Sequence, residues 1–470
     1  MDDNIQETLN KARLLLKDPS KVSHEVRSVF SILLSLFELL LPKLIKTTSK
    51  NSSLPPSQDP NRPKKTKADE SLRKPGGQPR RLGKNLVPFQ TVDEVILVPV
   101  DKEILPKGRT YTRHGIEKRQ VVELKITSFV LEYQLEVLKD DEGKLYKAIP
   151  PEGVTRPIQY GNSIKAMAVY LNQFQLLPYA RVLDFFKTQA NIPLSLGSLC
   201  NFNEEAFNRL EKFEEMAKEH LINSPILQVD ETGINVGGKN HWLHNASNDR
   251  WTLFFAHPKR GGAAMDDMGI LPAFKGTLMH DHLKAYFTYS CKHALCHAHH
   301  LREFQAVIET HPTHTWACQM KDLLLEINKE VQKVGTGLSF GQAKKYSQRY
   351  NTIVKIGDRE APPSTPEPGQ KKRGRPKQTK ERNLLLRFQN YKKENLRFMV
   401  NGGVPFTNNL AERDLRMTKV QQKISGCFKT IKTAQIFCRI RSFLNTCNKQ
   451  DIQPKTALEE LFQGQLSILS

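Results

Sequence analysis

Ile226-Leu-Gln-Val-Asp230-Glu-Thr-Gly-Ile-Asn-Val236 is the stretch on which the reading of this chain turns. An apolar, β-branched run delivers an acidic side chain and then breaks at Gly233, the pattern of a buried strand carrying a carboxylate. Two later segments offer that carboxylate company. Gly276-Thr-Leu-Met-His-Asp281 is a second apolar run ending in Asp, and Asn408-Asn-Leu-Ala-Glu412-Arg-Asp-Leu-Arg416 has helical spacing and carries Glu412. Glu231 rivals Asp230, but alternation along a strand points the two side chains to opposite faces, so one of them should join the site. Magnesium is a hard cation that takes carboxylate and phosphate oxygens. Two such ions roughly 3.5–4 Å apart can activate a nucleophile on one side of a phosphorus and stabilise the leaving oxygen on the other. Carboxylates in the order Asp230, Asp281, Glu412 therefore suggest a two-metal phosphoryl-transfer site, with Mg²⁺ or Mn²⁺ as the expected pair of ions.

The elements around these acids set the expected fold. Strands are expected at Ile226 to Val236, His241 to Ala246, Trp251 to Ala256 and Thr277 to Met279, followed by a short strand His293-Ala-Leu-Cys296 and a helix from about His297 to Glu309. Three hairpin-linked strands followed by alternating helix and strand match the order of a ribonuclease-H-like mixed sheet. In that order the first and fourth strands are neighbours, which would bring Asp230 and Asp281 together, and a late helix packed on the sheet can supply Glu412. The gap between Asp281 and Glu412 exceeds what one sheet crossing needs and implies an inserted helical subdomain at residues 310–400. Its helices are expected at Trp316 to Val334, near Phe340 to Ile356 and from about Glu381 to Val400, and Asn409 to about Lys419 and Thr433 to about Lys449 follow. The resulting class is an α/β multidomain protein. The core spans 224–309 and 401–450, and 451–470 form a C-terminal tail.

Upstream, residues 1–47 read as helix interrupted by Pro19, with a stripe of Val22, Val26, Val29, Leu33, Leu36 and Leu40 suited to a short coiled coil or to docking on the chain's own core. Residues 48–86 form a Pro/Gly linker that becomes basic, with Lys64-Lys-Thr-Lys67 and Arg73-Lys-Pro-Gly-Gly-Gln-Pro-Arg80-Arg81. Residues 87–155 carry strand candidates Val92 to Val100 and Ile126 to Val137 and suggest a small β-rich module. Residues 156–223 return to helix. A DNA-reading helix-turn-helix is one reading of them. Packing under the catalytic domain is favoured, because Glu204, Glu205, Glu211, Glu214 and Glu215 make a poor face for phosphates.

Bulk properties narrow the partner. A net charge of +22, from 71 Lys and Arg against 49 Asp and Glu, points to nucleic acid. Seven cysteines without a close CxxC pair argue against a disulfide framework and a zinc ribbon and suit a reducing cytosol. The longest apolar run, Val29 to Leu41, is shorter than the roughly 20 residues a membrane span needs and contains Glu38. A cytoplasmic, nucleoid-associated protein without a membrane partner is expected.

Further groups could touch DNA. Arg373-Gly-Arg375-Pro376, flanked by Lys371, Lys372 and Lys377, is the core of an AT-hook, in which two arginines can enter a narrow minor groove. Arg413 and Arg416 flank the Glu412 face of their helix, where Arg416 either pairs with Glu412 or holds a strand phosphate. Cys296-His-Ala-His-His300 is dense in metal-ligand types, with His280 and His282 before it, but Cys291 and His293 make an irregular second pair. Structural or DNA-proximal histidines, with His297 and His300 near phosphate, are the favoured reading.

These residues resemble the transposases of the insertion-sequence 66 family, within the DDE superfamily. The resemblance is carried by Gly76-Gly-Gln-Pro79, Val229-Asp-Glu-Thr-Gly233, His257-Pro-Lys-Arg260-Gly261, His280-Asp-His-Leu-Lys-Ala-Tyr286, Leu295-Cys-His-Ala-His-His-Leu-Arg302, Asn383-Leu-Leu-Leu-Arg-Phe388, and Asn408-Asn-Leu-Ala-Glu-Arg413 running on to Gln422-Lys-Ile-Ser-Gly426. It implies a ribonuclease-H-like core with Asp230, Asp281 and Glu412 as metal ligands. It also implies metal-dependent strand cleavage and strand transfer at the ends of a bacterial insertion sequence. The expected DNA contacts are Arg80, Arg81, Arg260, Arg373, Arg375, Lys377, Arg413 and Arg416. The partners would be element ends and target DNA, a homo-oligomer formed on DNA, and accessory proteins encoded nearby. Many members carry a cysteine-rich zinc module after the Gly-Gly-Gln-Pro linker; residues 87–150 contain no cysteine, so no zinc is expected. The alternatives are a hydrolysis-only nuclease on the same core and an inactive relative that binds element ends and represses.

Overall fold

The computed structural model describes residues 86–364 and 378–466, together with Val29, Phe30, Leu33, Thr48, Asn51, Ser52 and Ile468. The apolar stripe expected to form a coiled coil lies largely outside the described residues, as do the basic segments with Arg80 and Arg81 and with Arg373, Arg375 and Lys377.

Among the described residues, a short hairpin comes first, β1 (Val137–Lys139) and β2 (Leu145–Lys147). Helices α1 (Asn162–Val169), α2 (Tyr179–Ala190), α3 (Leu196–Arg209) and α4 (Glu211–Ile222) follow. The sheet strands are β3 (Ile226–Val236), β4 (Lys239–Ser247) and β5 (Thr252–His257), then helix α5 (Gly262–Met268), β6 (Thr277–His280) and β7 (Lys292–Leu295). Helix α6 (His297–Thr310) follows the sheet, and helices α7 (Trp316–Val334), α8 (Phe340–Glu360), α9 (Lys380–Asn390), α10 (Lys392–Asn395) and α11 (Arg397–Val400) form the insertion. The chain closes with α12 (Asn409–Ser425), α13 (Ile431–Lys449) and α14 (Pro454–Gln463).

The five-stranded sheet has the order β5-β4-β3-β6-β7. Its first three strands are antiparallel neighbours, while β3, β6 and β7 run parallel. The join of β6 to β3 is close: Thr277 N–H donates to Pro225 O at 2.9 Å. Gly276 makes that approach possible, because a Cβ there would lie 2.5 Å from Ser224 O and 2.7 Å from Pro225 O. The edge of β5 is covered by α13, whose Ser442 and Thr446 hydroxyls accept from the backbone N–H groups of Phe254 (2.8 Å) and Thr252 (3.1 Å). Side chains thus satisfy donors that an open edge strand would leave for another chain.

The helices of residues 156–223 share one apolar core with the sheet. Leu199, Phe202, Phe213 and Leu221 pack with Leu227, Trp251, Leu253, Ile440 and Phe443. The favoured reading of that region, helical packing under the sheet, describes what is seen. The insertion builds a second core from Trp316, Met320, Leu324, Ile327, Tyr350, Leu385 and Phe388, joined to the β7 side of the sheet through Met279, Ala294 and Cys296. It therefore stands beside the sheet, and α12 can return to β3.

Three local expectations need correction. Val92 to Val100 and Ile126 to Glu136 form no strand; the hairpin β1–β2 is the β-structure described in that region. Its apolar residues are exposed, Val95 by 85% and Val130 by 85%, so alternation alone does not make a sheet when no face is there to bury it. The single helix expected from Glu381 to Val400 is broken at Tyr391 and Leu396. The segment 451–470, read as a tail, contains α14: Pro454 starts it, and Ala457, Leu458, Leu461 and Phe462 bury one face against the first core.

Candidate active site

Strand β3 is buried on the face of Leu227, Val229 and Glu231, while Gln228 and Asp230 belong to the other side. Its parallel register with β6 pairs Leu227 with Leu278 and Gln228 with Met279. Continuing that register by two residues sets Asp230 opposite Asp281, which begins just past β6. On the other flank, Asp230 pairs with Asn245 of β4. Asn245 Nδ2 donates to Ala411 O at 3.2 Å, and Asn408 Nδ2 donates to Val229 O at 2.8 Å. These two amides pin the first turn of α12 across β3, and Glu412 sits in that turn.

Asp230 feels the charges of the other two carboxylates. The Asp230 carboxyl is pushed up from 3.8 to about 8, first by burial, then by the charges of Glu231, Asp281 and, more weakly, Glu412; the Glu231 N–H, 2.9 Å away, partly opposes the shift. Asp281 Oδ1 accepts from Leu283 N–H at 3.1 Å, which fixes one of its oxygens at the strand end. Glu412 Oε1 lies 4.0 Å from both Cys296 Sγ and His299 Nδ1. Burial pushes the Cys296 thiol up to about 11, so its sulfur is held as a thiol.

Glu231 is engaged elsewhere. Its Oε1 accepts from Arg260 Nε (2.9 Å) and the same residue's terminal nitrogen (2.7 Å), and its Oε2 accepts from the Tyr286 hydroxyl at 2.7 Å. The Arg260 guanidinium also stacks over the Trp242 ring at 4.7 Å. Arg260, expected on DNA, pairs with this buried carboxylate, while its own side chain stays 45% exposed. The signal was present in the sequence, since Asp-Glu on a strand leaves the second acid on the core face, where it requires a partner.

Of the two readings of the histidines, structural or DNA-proximal, His297 and His300 take the structural one. His297 and His300 are each 1% exposed, so neither can meet phosphate. His297 Nε2 bonds Asn395 O at 2.8 Å, and the two Nδ1 atoms lie 3.3 Å apart. Burial pushes His297 down to about 4 and His300 well below its ordinary value, so both are neutral. His299, on the opposite side of the first turn of α6, is the ring that reaches Glu412. Arg413 and Arg416 are exposed on α12, and among the described residues Arg416 forms no ion pair with Glu412. Asp414, two residues after Glu412, is buried and paired with Lys449 at 2.8 Å, which ties α12 to α13. Asn245, Asn408, Tyr286 and His299 were not expected as site residues. Only tertiary pairing reveals them, although Asn408 was visible as a helix-capping type whose side chain turns to the strand instead of the cap.

The family model of the Transposase IS66 family matches residues 157–436, from α1 through the sheet and the insertion into α13. The chain belongs to this transposase family. A comparison with curated proteins returned no match. Among the described residues, no helix is long and apolar enough to cross a membrane.

Proposed function

We propose that this family member is a DDE-type transposase with a ribonuclease-H-like core, cleaving DNA at element ends and joining the freed strands to target DNA. The strand order, with three antiparallel strands followed by two parallel ones, supports the fold assignment. The observation that carries the activity is the convergence of Asp230, Asp281 and Glu412 from β3, the end of β6 and the first turn of α12. Burial, then the charge of Glu231, then those of Asp281 and Glu412 lift the Asp230 carboxyl to about 8.

The donor set fits hard divalent cations. Its ligands are carboxylate oxygens whose mutual repulsion a cation would relieve, and the one sulfur nearby is held protonated. His299 Nδ1 is buried without a hydrogen-bond partner beside Glu412, a polar atom suited to a bound ion's outer sphere. Asp230 would serve both of two Mg²⁺ or Mn²⁺ ions, with Asp281 and Glu412 each serving one. Bound there, such ions supply charge stabilisation at the attacking and leaving oxygens of an in-line phosphoryl transfer.

The chain's own residues do the positioning. Asn245 and Asn408 hold Glu412 at β3. Glu231, fixed by Arg260 and Tyr286, keeps a second negative charge behind Asp230 that holds its carboxyl up until cations arrive. Arg413 and Arg416, exposed beside Glu412, are placed to grip strand phosphates, and the basic segments with Arg80, Arg81, Arg373, Arg375 and Lys377 would add backbone contacts. A homo-oligomer assembled on double-stranded DNA, working with accessory proteins, completes the proposal, and residues 224–309 with 401–450 form its catalytic unit.

The test is cleavage of a labelled element-end duplex with Mg²⁺ or Mn²⁺. Asp230→Asn, Asp281→Asn and Glu412→Gln should each abolish nicking and strand transfer while leaving duplex binding intact. Nicking that survives in any of the three overturns the assignment of that residue, and nicking without joined product favours the nuclease reading.

A further inference from the structure

Far from the acid triad, at the outer end of the insertion, a second cluster of ligand-type side chains forms between α6, α7 and α9. Helix α6 ends at Thr310, and the turn His311-Pro-Thr-His314 leads into α7. Two backbone bonds shape the turn: His311 N–H to Val307 O at 2.8 Å and His314 N–H to His311 O at 3.0 Å. The two imidazoles lie nearly parallel, with centroids 5.0 Å apart and planes 12° apart. Both address one carboxylate, Glu381, in the first turn of α9. His314 Nδ1 is 2.9 Å from Oε1, and His311 Nε2 is 3.6 Å from Oε2.

Glu381 is only 5% exposed and borders the apolar core of Trp316, Leu384 and Leu385. Its Oε1 also accepts from the Trp316 indole N–H at 2.7 Å. Two imidazole nitrogens and one buried carboxylate thus converge, donor types that suit a bound metal ion. A further acid, Glu360, takes the backbone N–H groups of Thr315 and Trp316 at 2.9 and 3.0 Å and feels His314. The nearby cation Arg382 is already paired with Asp358.

We propose that His311, His314 and Glu381 bind one Zn²⁺ as a structural clamp joining the α6–α7 turn to α9. The three ligand atoms lie within 4.8 Å of one another. The 3.6 Å between His311 Nε2 and Glu381 Oε2 is long for a hydrogen bond. It is close to the roughly 3.3 Å expected of two donors sharing a tetrahedral zinc with bonds near 2.0–2.1 Å. Two imidazoles and one carboxylate suit zinc and exclude magnesium, which takes oxygen ligands. Water completes the coordination, because both histidines are half-exposed. Trp316 orients the carboxylate from behind, as the outer partner of a ligand does. In sequence, Glu381 follows closely on the basic segment Lys371 to Lys377.

The experiment uses the full chain carrying Asp230→Asn, Asp281→Asn and Glu412→Gln, so that metal held at the triad is not counted. After stripping with chelator, zinc stoichiometry is measured by elemental analysis, affinity by competition with a chromophoric chelator, and geometry by the visible spectrum of the Co²⁺ form. One zinc per chain is expected, with a Co²⁺ spectrum of tetrahedral type. His311→Ala, His314→Ala and Glu381→Gln should each weaken binding by at least about a hundredfold, and Trp316→Phe by about tenfold. His311 is on the surface, so its alanine variant should melt at the parent's temperature when both are metal-free, which separates loss of ligand from loss of fold. Zinc absent from the parent, or retained by His311→Ala or Glu381→Gln, overturns the proposal.

Discussion

Replacing Asp230 with Asn should stabilise the metal-free protein while ending catalysis. The magnitude follows from proton linkage. An acid whose folded-state value is raised favours the native state least when it must ionise. Its penalty is absent below the unfolded value of 3.8, grows as pH rises through the interval, and levels off above about 8. At pH 7.5 the full interval amounts to about 5 kcal/mol, and at pH 5 to about 1.6 kcal/mol. Relaxation and water entry will return part of this, so roughly 2–3 kcal/mol should be seen at pH 7.5. Asparagine keeps the Oδ1 that accepts the Glu231 N–H at 2.9 Å, so the change removes charge and little else. For a cooperative unit of this size that is roughly 5 °C or more in Tm. The assay is thermal unfolding in EDTA at pH 7.5 and pH 5, repeated with about 10 mM Mg²⁺. The variant should melt higher than wild type at pH 7.5, and the gap should narrow at pH 5. Magnesium should raise the wild type, by about 1.4 kcal/mol if its Kd is near 1 mM, and leave the variant unmoved. A variant that melts below wild type in EDTA at pH 7.5, or a gap that widens at pH 5, would refute the reasoning.

Arg260→Ala removes the cation from a buried carboxylate and should lower stability by about 1–3 kcal/mol, a range set by the partial exposure of the guanidinium; Arg260→Ala with Glu231→Gln should recover most of it, as chemical denaturation will report. Gly276→Ala drives a methyl to 2.5 Å from Ser224 O and should cost about 1–3 kcal/mol by opening the β3–β6 join, with loss of cleavage even in the fraction that folds. Asn408→Ala releases α12 from Val229 O and should lower the rate of end cleavage far more than duplex affinity, the split that a positioning residue gives in single-turnover kinetics. Arg416→Ala should weaken binding to all duplexes alike and reduce the slope of log K against log salt by about 0.9, measured by fluorescence anisotropy across a salt series.

What could be read from the sequence was the local part of the site. The runs leading to Asp230 and Asp281 announce strands because β-branched residues precede each acid; Gly276 marks where the second begins, whereas the first runs on through Gly233 to Val236. The length of the insertion was legible in the gap before Glu412. Its placement was not, because it depends on Met279, Ala294 and Cys296 accepting a second core on the β7 side. The strands expected between 87 and 137 failed for the converse reason. Alternation identifies a sequence able to form a half-buried strand, but stability comes from a partner face, and none of the described residues supplies one.

The acid next to Asp230 shows how the two levels combine. Alternation along β3 separates Asp230 from Glu231 and leaves the second acid facing the core, so it needs buried partners. The fold provides them from two distant segments, Arg260 after β5 and Tyr286 after β6. That arrangement does more than neutralise Glu231. Arg260 pairs with Glu231, and among the described residues no ion pair to Asp230 forms, so Asp230 keeps the like charges of Glu231, Asp281 and Glu412 beside it. Had the guanidinium reached Asp230 instead, the carboxyl would be held low and the site would have little electrostatic call for divalent ions. Under the proposed function, pairing Arg260 with Glu231 leaves Asp230 open to metal, and the double substitution of Arg260 and Glu231 tests it directly: with both charges gone, Asp230 should lose one of its repelling neighbours and bind Mg²⁺ more weakly than in the wild type.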